Sequence, residues 1–351
     1  GGTFSADGTR LLVGRDETGI FNLYEITLAD GAKKQLTTST VESYYPVDYV
    51  PGMSALIYSA DKGGNEIDHL YLLEDNGKTT DLTPGENNKV SFFKWSEDKK
   101  SMFYISNIRD PKYFDVYKMN IGEWIPTLFY ENKSGLDVNE ISDDEKTLVV
   151  SKTVTTSENE LYLVNRETDT QTELSLPDQK GRYGVSGFSK DNKYVFYLTD
   201  GGKEFTYLVQ YDMNSGERKV LYETNWDVMY TFLSEKETYR VIAINEDGKN
   251  TIIMQDAASG KTIDFPAIPD GDILGVEISD SEKLMRLSVG TSKAPNNIYL
   301  YNLETKELKK LTESLNKEIN ADDLVAAEVV RYKSFDGLDI PAIYYKPHQA
   351  T

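Results

Sequence analysis

The feature that most constrains the fold of this chain is a repeat of about 46 residues, which recurs seven times along 351 residues. Each copy carries a tight polar turn after an apolar residue, as in Phe4-Ser5-Ala6-Asp7-Gly8 and Trp95-Ser96-Glu97-Asp98. The equivalent turn positions lie 45 to 47 residues apart and are Ser5, Pro51, Ser96, Ser142, Ser189, Ser234 and Ser279. Self-similarity at a fixed period of this length indicates one supersecondary unit copied along the chain.

A second marker keeps the same period. An apolar residue closes each copy, at Leu36, Leu82, Leu128, Leu174, Leu221, Phe265 and Leu311, and three of these precede a threonine (Thr37, Thr83 and Thr312). Between the markers, runs such as residues 21–28 alternate apolar and polar side chains, as half-buried strands do. Short segments with Asp-Gly supply the turns between them. Four short antiparallel strands in each copy describe the blade of a propeller.

The sequence therefore predicts an all-β fold, a seven-bladed β-propeller of four-stranded antiparallel blades with a short C-terminal linker hairpin. The predicted propeller covers residues 1–314, and its blades span about 1–43, 44–88, 89–134, 135–181, 182–225, 226–271 and 272–314. Residues 315–351 are predicted to be a linker outside the repeat. The period overrides chain length, which alone suggests two or three domains.

Composition limits the partners. With 38 basic against 58 acidic residues, the net charge of -20 disfavours nucleic acid and anionic membrane surfaces. No run of 18 apolar residues predicts a membrane span, and the absence of Cys excludes disulfides and thiolate chemistry. A cytoplasmic location is the expectation. A periplasmic or secreted location stays open, because the chain starts at Gly1 inside the first blade and is expected to lack its native start.

The search for catalytic groups predicts none in this chain. The two histidines are His69, expected to be a packed or surface position, and His348 near the end. No Gly-x-Ser-x-Gly elbow occurs, and its nearest match, residues 290–294, is predicted to be a turn. Asp270 and Asp272, like Asp322 and Asp323, are interpreted as turn and helix-cap acids, so no metal site and no cofactor are predicted. Binding residues stay unknown at this stage.

The first strand of each blade is expected to line a central channel. These strands mix apolar residues with Asp48, Lys94, Asn139 and Glu277. A wet, weakly acidic channel that passes or holds a small peptide is the resulting prediction. It lacks the converging polar groups of a tight binding pocket.

The tail breaks the repeat. Asp322-Asp323-Leu324 suggests a capped helical turn, and two strands, residues 328–334 and 338–347, are predicted to pair across Phe335-Asp336-Gly337. The segment from Val330 to Pro347 resembles the crossing from β-propeller to α/β-hydrolase domain in the prolyl oligopeptidase family of serine peptidases, particularly its acylaminoacyl-peptidase and dipeptidyl-peptidase-like members. Blades of this type are also similar to TolB-like propellers.

The resemblance implies acyl transfer by Ser, His and Asp of a hydrolase domain that lies beyond Thr351. That domain and a peptide substrate are thus the expected partners, and the propeller is expected to cover the active site and restrict entry by size. The hairpin edge, unpaired in this chain, is predicted to allow self-association. Two alternatives remain: a stand-alone propeller that binds a protein or glycan, and a propeller enzyme with its active site in the channel, which two histidines disfavour.

Overall fold

The protein is described by a computed structural model that covers residues 2–268 and 271–350. Across these residues the first 28 strands form seven four-stranded antiparallel sheets, one for each predicted repeat. Each sheet takes four consecutive strands in chain order. The predicted all-β class and blade plan are therefore confirmed. Contacts divide the chain into two compact units, Gly1–Pro177 and Asp178–Thr351, which are described separately below.

The first unit contains blades 1 to 4. Blade 1 has strands β1 (Gly2–Phe4), β2 (Arg10–Arg15), β3 (Asn22–Thr27) and β4 (Lys33–Gln35). Blade 2 has β5 (Tyr45–Tyr49), β6 (Ala55–Ala60), β7 (His69–Glu74) and β8 (Thr79–Asp81). Blade 3 has β9 (Val90–Trp95), β10 (Ser101–Asp110), β11 (Tyr113–Asn120) and β12 (Pro126–Tyr130). Blade 4 has β13 (Asp137–Ile141), β14 (Thr147–Thr155), β15 (Glu158–Asn165) and β16 (Thr170–Glu173).

The second unit contains blades 5 to 7 and the C-terminal hairpin. Blade 5 has β17 (Tyr183–Phe188), β18 (Tyr194–Thr199), β19 (Tyr207–Asp212) and β20 (Arg218–Tyr222). Blade 6 has β21 (Asp227–Leu233), β22 (Tyr239–Glu246), β23 (Lys249–Asp256) and β24 (Thr262–Ile263). Blade 7 has β25 (Asp272–Ile278), β26 (Leu284–Thr291), β27 (Ala294–Asn302) and β28 (Leu308–Lys310). A single 3-10 turn (Ala321–Asp323) precedes the hairpin strands β29 (Ala327–Lys333) and β30 (Asp339–Tyr345).

The repeated serine turn joins the first and second strands of its blade. In blade 3 the buried Ser96 hydroxyl accepts a hydrogen bond from Ser101 N (2.9 Å) and donates one to Asp98 (2.7 Å). In six blades the residue three positions after the serine has a positive φ; these residues are Gly8, Lys99, Glu145, Asn192, Glu237 and Glu282. In blade 2 the positive φ lies one position earlier in the turn, at Gly52, because Met53 N bonds to Val50 O and Val50 takes the place of the serine. The serine therefore satisfies backbone groups that the tight turn leaves unpaired, which explains why it recurs.

The leucine-threonine marker ends the fourth strand. Thr37, Thr83 and Thr312 each accept a hydrogen bond at Oγ1 from the backbone of the neighbouring third strand, with N to O distances of 2.9, 2.9 and 2.8 Å. The hydroxyl thus continues the strand ladder by one bond where the chain turns away. This marker closes the outer edge of the blade rather than contributing to a site.

The hydrophobic core lies between neighbouring blades. One cluster joins blades 2 and 3 through residues such as Ile57, Leu70 and Met102, and another joins blades 6 and 7 through Val241 and Leu287. Full burial of such a side chain stabilises the fold by about 1.5–3 kcal/mol. In blade 2, Ile57 packs toward blade 3 whereas Leu56 and Tyr58 pack toward blade 1, so strand β6 is buried on both faces.

Acid should weaken the serine turns. Hydrogen bonds from Ser5 and Thr9 lower the pKa of Asp7 to about 2, and bonds from Lys193 and Ser189 lower the pKa of Asp191 to about 2. A carboxylate with a lowered pKa stabilises the fold above its unfolded pKa, near 4, and that stability is lost as pH falls toward about 2. Both carboxylates are exposed, so each contributes about 1 kcal/mol or less.

Thermal unfolding between pH 5 and pH 2 measures this effect. We expect Asp7→Asn to lower the melting temperature at pH 5 and to make it depend less on pH below 4. Ser281→Ala is the control, since Ser281 takes the place of the aspartate in the blade 7 turn and carries no charge. An identical pH slope for Asp7→Asn and the unmodified chain would contradict the assignment.

Candidate functional site

The C-terminal hairpin lies at one end of the blades in the second unit. In a four-stranded antiparallel sheet, the turn from second to third strand lies opposite the turn from first to second. The hairpin contacts the second-to-third turns of blade 6, at Asp247 and Gly248, and of blade 7, at Ser292. It therefore lies at the end away from the serine turns of these blades.

Among the described residues, Arg331, Ala327 and Ile343 attach the hairpin to the blades. Nη2 of Arg331 lies against both carboxylate oxygens of Asp247. Ala327 N donates a hydrogen bond to Ser292 Oγ (2.9 Å). Ile343 packs over Gly248, where an added Cβ would lie 3.4 Å from Ile343 Cδ1. Arg331 pairs with Pro341, and paired residues lie on the same face of the sheet. Ile343 is two positions from Pro341 on the same strand, so Arg331 and Ile343 share that face.

The opposite face of the hairpin is open and mostly apolar, with Glu328 as its charged residue. Alternation along the strands places Val330, Tyr332 and Tyr344 on it, and all three are exposed, Tyr332 by 57%. Phe335 and Leu338 at the turn are exposed as well. Several large apolar side chains exposed on one small element favour an interaction site. We call residues Val330, Tyr332, Phe335, Leu338 and Tyr344 the hairpin face.

The predicted elements of the tail are confirmed. The hairpin turn has Gly337 at a φ of 87°, and Ser334 N donates to Leu338 O (2.8 Å). The helical turn at residues 321–323 is capped by Asn320, whose side chain accepts from Asp322 N, so the acids follow the cap instead of forming it.

The first strands carry polar groups that bind neighbouring blades. In the first unit the Asp48 carboxylate accepts hydrogen bonds from Trp95 Nε1 (2.9 Å) and Thr3 Oγ1 (3.1 Å). Burial raises the pKa of Asp48, although these donors oppose the rise. Three blades thus meet at one carboxylate, and its polar contacts are structural.

Lys94 makes a second link between blades. Its Nζ lies 3.1 Å from Glu140 Oε1 and donates to Ile141 O at 3.0 Å. Burial acts against the charge, but the nearby Glu140 and Asp143 raise the pKa of Lys94 overall. In the second unit, Glu277 pairs with Arg286 Nε at 2.8 Å. Four polar residues were predicted for the channel wall. Asp48, Lys94 and Glu277 bind other side chains of the protein, whereas Asn139 is exposed.

A bulge in the first strands was not visible in the sequence. In blades 2 to 7 one residue of the first strand is skipped in the pairing with the second. The skipped residues are Val47, Phe93, Asn139, Ser186, Met229 and Leu274. Bulges twist a strand and redirect a side chain. In blades 6 and 7 this leaves Met229 and Leu274 exposed at the first-strand edge.

The residues weighed as catalytic candidates have structural positions. His69 is buried, with Nδ1 2.8 Å from Asp81 Oδ2 and Nε2 3.0 Å from Gly85 O, so neither ring nitrogen faces a hydroxyl nucleophile. His348 is exposed. Of residues 290–294, Ser292 and Lys293 form the turn between β26 and β27, and the other three belong to the ends of these strands.

The acids weighed as metal ligands also have structural positions. Asp272 begins β25 and accepts from Asn250 N (2.7 Å), whereas Asp270 lies outside the described residues. Within residues 2–268 and 271–350, no three His, Asp or Glu side chains are grouped to hold a metal ion. Over the same ranges, no helix combines the length and apolar character required to cross a membrane.

Comparison with known proteins places this architecture in a family. The family described as "Prolyl oligopeptidase, N-terminal beta-propeller domain" matches residues 48–314. The chain therefore belongs to the N-terminal β-propeller domains of prolyl oligopeptidases. No curated protein matches the chain.

Solved structures share the fold. One, from a study of two prolyl endopeptidases and the role of inter-domain dynamics in their catalysis and specificity, aligns with a TM-score of 0.76 and 17% identity, covering 99% of this chain and 54% of that one. Prolyl oligopeptidase B from Galerina marginata without ligand aligns with a TM-score of 0.71 and 15% identity, covering 97% and 54%. A mutant of that enzyme bound to a 35mer substrate aligns with a TM-score of 0.70 and 14% identity, covering 97% of this chain and 53% of that one. The chain spans about half the length of these proteins.

Proposed function

We propose that this chain is the non-catalytic propeller of a serine peptidase that hydrolyses peptides, and that it restricts access to an α/β-hydrolase domain by size. The observation that carries the proposal is the hairpin face, an open apolar surface on an element fixed to blades 6 and 7. The proposed occupant of this face is the hydrolase domain that would follow residue 351. Membership of the propeller family supports that choice.

The first strands support the gating role. In a propeller these strands surround the central channel. The charges of Asp48 and Lys94 are used to join blades. The channel wall would then sort peptides by size and by weak apolar contacts, such as those available at Met229 and Leu274, instead of by a tight polar pocket.

Peptidase activity of a longer polypeptide tests the proposal. The chain extended by its native downstream coding sequence should hydrolyse peptides and react covalently with a fluorophosphonate, which labels activated serines. The chain alone should do neither, because His69 is held by Asp81 and Gly85. Labelling of the chain alone, or an extended polypeptide that neither labels nor cleaves, would contradict the proposal and favour the stand-alone binding propeller.

In the isolated chain we propose that the hairpin face pairs two copies. Sedimentation velocity should show a concentration-dependent dimer, and Tyr332→Lys should remove it by placing a charge on the apolar face. Deletion of residues 326–351 should have the same result. A monomer at all concentrations would overturn this proposal and leave the peptidase proposal intact.

A further inference from the structure

We propose that Asp247 on blade 6 is a positioning residue, which acts through Arg331 to fix the direction in which the hairpin leaves the propeller. The inference rests on the proposed function in one respect, namely that a domain follows the hairpin. We call the ion pair of Arg331 and Asp247 the anchor, and it involves only described residues of this chain.

The turn that carries Asp247 is rigid. Strand β22 ends at Glu246 and β23 begins at Lys249, so Asp247 and Gly248 form a two-residue connection. Their φ angles are 53° and 74°. Positive φ at both positions defines the tight turn preferred in two-residue hairpins, and Asp tolerates it well. The carboxylate is therefore presented from a fixed backbone.

The contacts act at different points along the hairpin. Ala327, at the start of β29, bonds to Ser292 on blade 7, whereas Arg331 and Ile343 lie on blade 6. Contacts on two blades hinder rotation of the hairpin about its long axis. The Ser292 bond alone would leave that rotation free, since it holds one end of one strand. The ion pair of Arg331 and Asp247 is thus the polar contact that sets the angle, together with the packing of Ile343 on Gly248.

The ion pair favours one orientation of the hairpin but can dissociate. The two side chains are 45% and 30% exposed, so the pair is partly screened by solvent. Exposed ion pairs shift an equilibrium by about twofold to fivefold. Salt reduces such attraction further, because the screening length is about 8 Å at physiological ionic strength. A following domain would therefore move relative to blade 6 more readily at high salt.

Spin labels on the chain test the anchor directly. The chain has no Cys, so Asp336→Cys on the hairpin turn and Lys261→Cys on blade 6 can be labelled without background. We expect a narrow distance distribution that broadens in Asp247→Asn and Arg331→Gln and stays narrow in Arg331→Lys, which keeps the charge. Asn also tolerates a positive φ, so Asp247→Asn preserves the turn. Circular dichroism of each variant checks the fold.

The matched control is the ion pair of Lys333 and Asp339, 2.7 Å apart within the hairpin. Asp339→Asn removes a comparable pair that does not reach a blade, so the distribution should stay narrow. An unchanged distribution in Asp247→Asn, or equal broadening in Asp339→Asn, would overturn the anchor.

Kinetics of the extended polypeptide separate the anchor from the proposed function. If Asp247 positions the following domain, Asp247→Asn should change KM for peptides about twofold to fivefold with a smaller change in kcat. Broadening without any peptidase activity supports the anchor and contradicts the peptidase proposal. Activity with an unchanged distance distribution contradicts the anchor alone.

Discussion

Replacing Asp115 by alanine should lower the free energy of unfolding by about 3 kcal/mol. The Asp115 side chain is 0% exposed and accepts from Arg109 Nε (2.6 Å), Arg109 Nη2 (2.9 Å) and Asn132 N (2.8 Å). Its removal leaves a buried amide without its acceptor and takes from the Arg109 guanidinium the nearer of two carboxylates, since Glu131 stays at 3.7 Å. Both losses carry a desolvation cost.

Urea denaturation measures this change. The control is Glu304→Gln, which breaks the pair with Lys283 (3.2 Å), whose side chains are 62% and 61% exposed. We expect that variant to stay within about 0.5 kcal/mol of the unmodified chain. Equal midpoints for Asp115→Ala and Glu304→Gln would show that the Arg109 and Asp115 pair does not support blade 3.

Replacing Gly201 by alanine should destabilise the second unit by about 2 kcal/mol. A Cβ at Gly201 would lie 2.5 Å from the Tyr183 hydroxyl and 2.7 Å from Gln179 O. Those two atoms are joined by a hydrogen bond of 2.6 Å, which the methyl group would force apart. Because one contact is with backbone, no side-chain rotation relieves it.

Gly184→Ala is the matched control in the same blade. No atom lies within 4 Å of a Cβ placed there, and Gly184 is in the extended strand β17. Alanine should leave stability unchanged or raise it by about 0.4–1 kcal/mol, because it restricts the unfolded chain. Thermal unfolding of the two variants compares them. Similar melting temperatures would contradict the packing at Gly201.

The blades could be predicted from the sequence because their signals are local. Ser96 and Asp98 satisfy a turn from within a few residues, so the same letters recur wherever the turn does. The bulges could not be predicted in this way. Their residues range from Val47 to Asn139 and Met229, since a bulge depends on pairing with the second strand and not on one side chain.

The site was predictable in part. The hairpin strands were visible from Asp336-Gly337 and the apolar runs on either side. Its anchor was not, because Arg331 and Asp247 are 84 positions apart and each has the appearance of a solvated charge. Asp48 and Lys94 were expected to face a channel as polar groups. Their bonds to Trp95 and Glu140 depend on the approach of neighbouring blades, which the repeat alone does not specify.

The size dependence of cleavage tests the central proposal most directly. The extended polypeptide should be given one scissile sequence in two contexts, as a short free peptide and within an exposed loop of a folded host protein. If the propeller restricts access, the free peptide is cleaved and the same sequence in the folded host remains intact. Comparable rates of cleavage in the two contexts would contradict the proposed role of this chain.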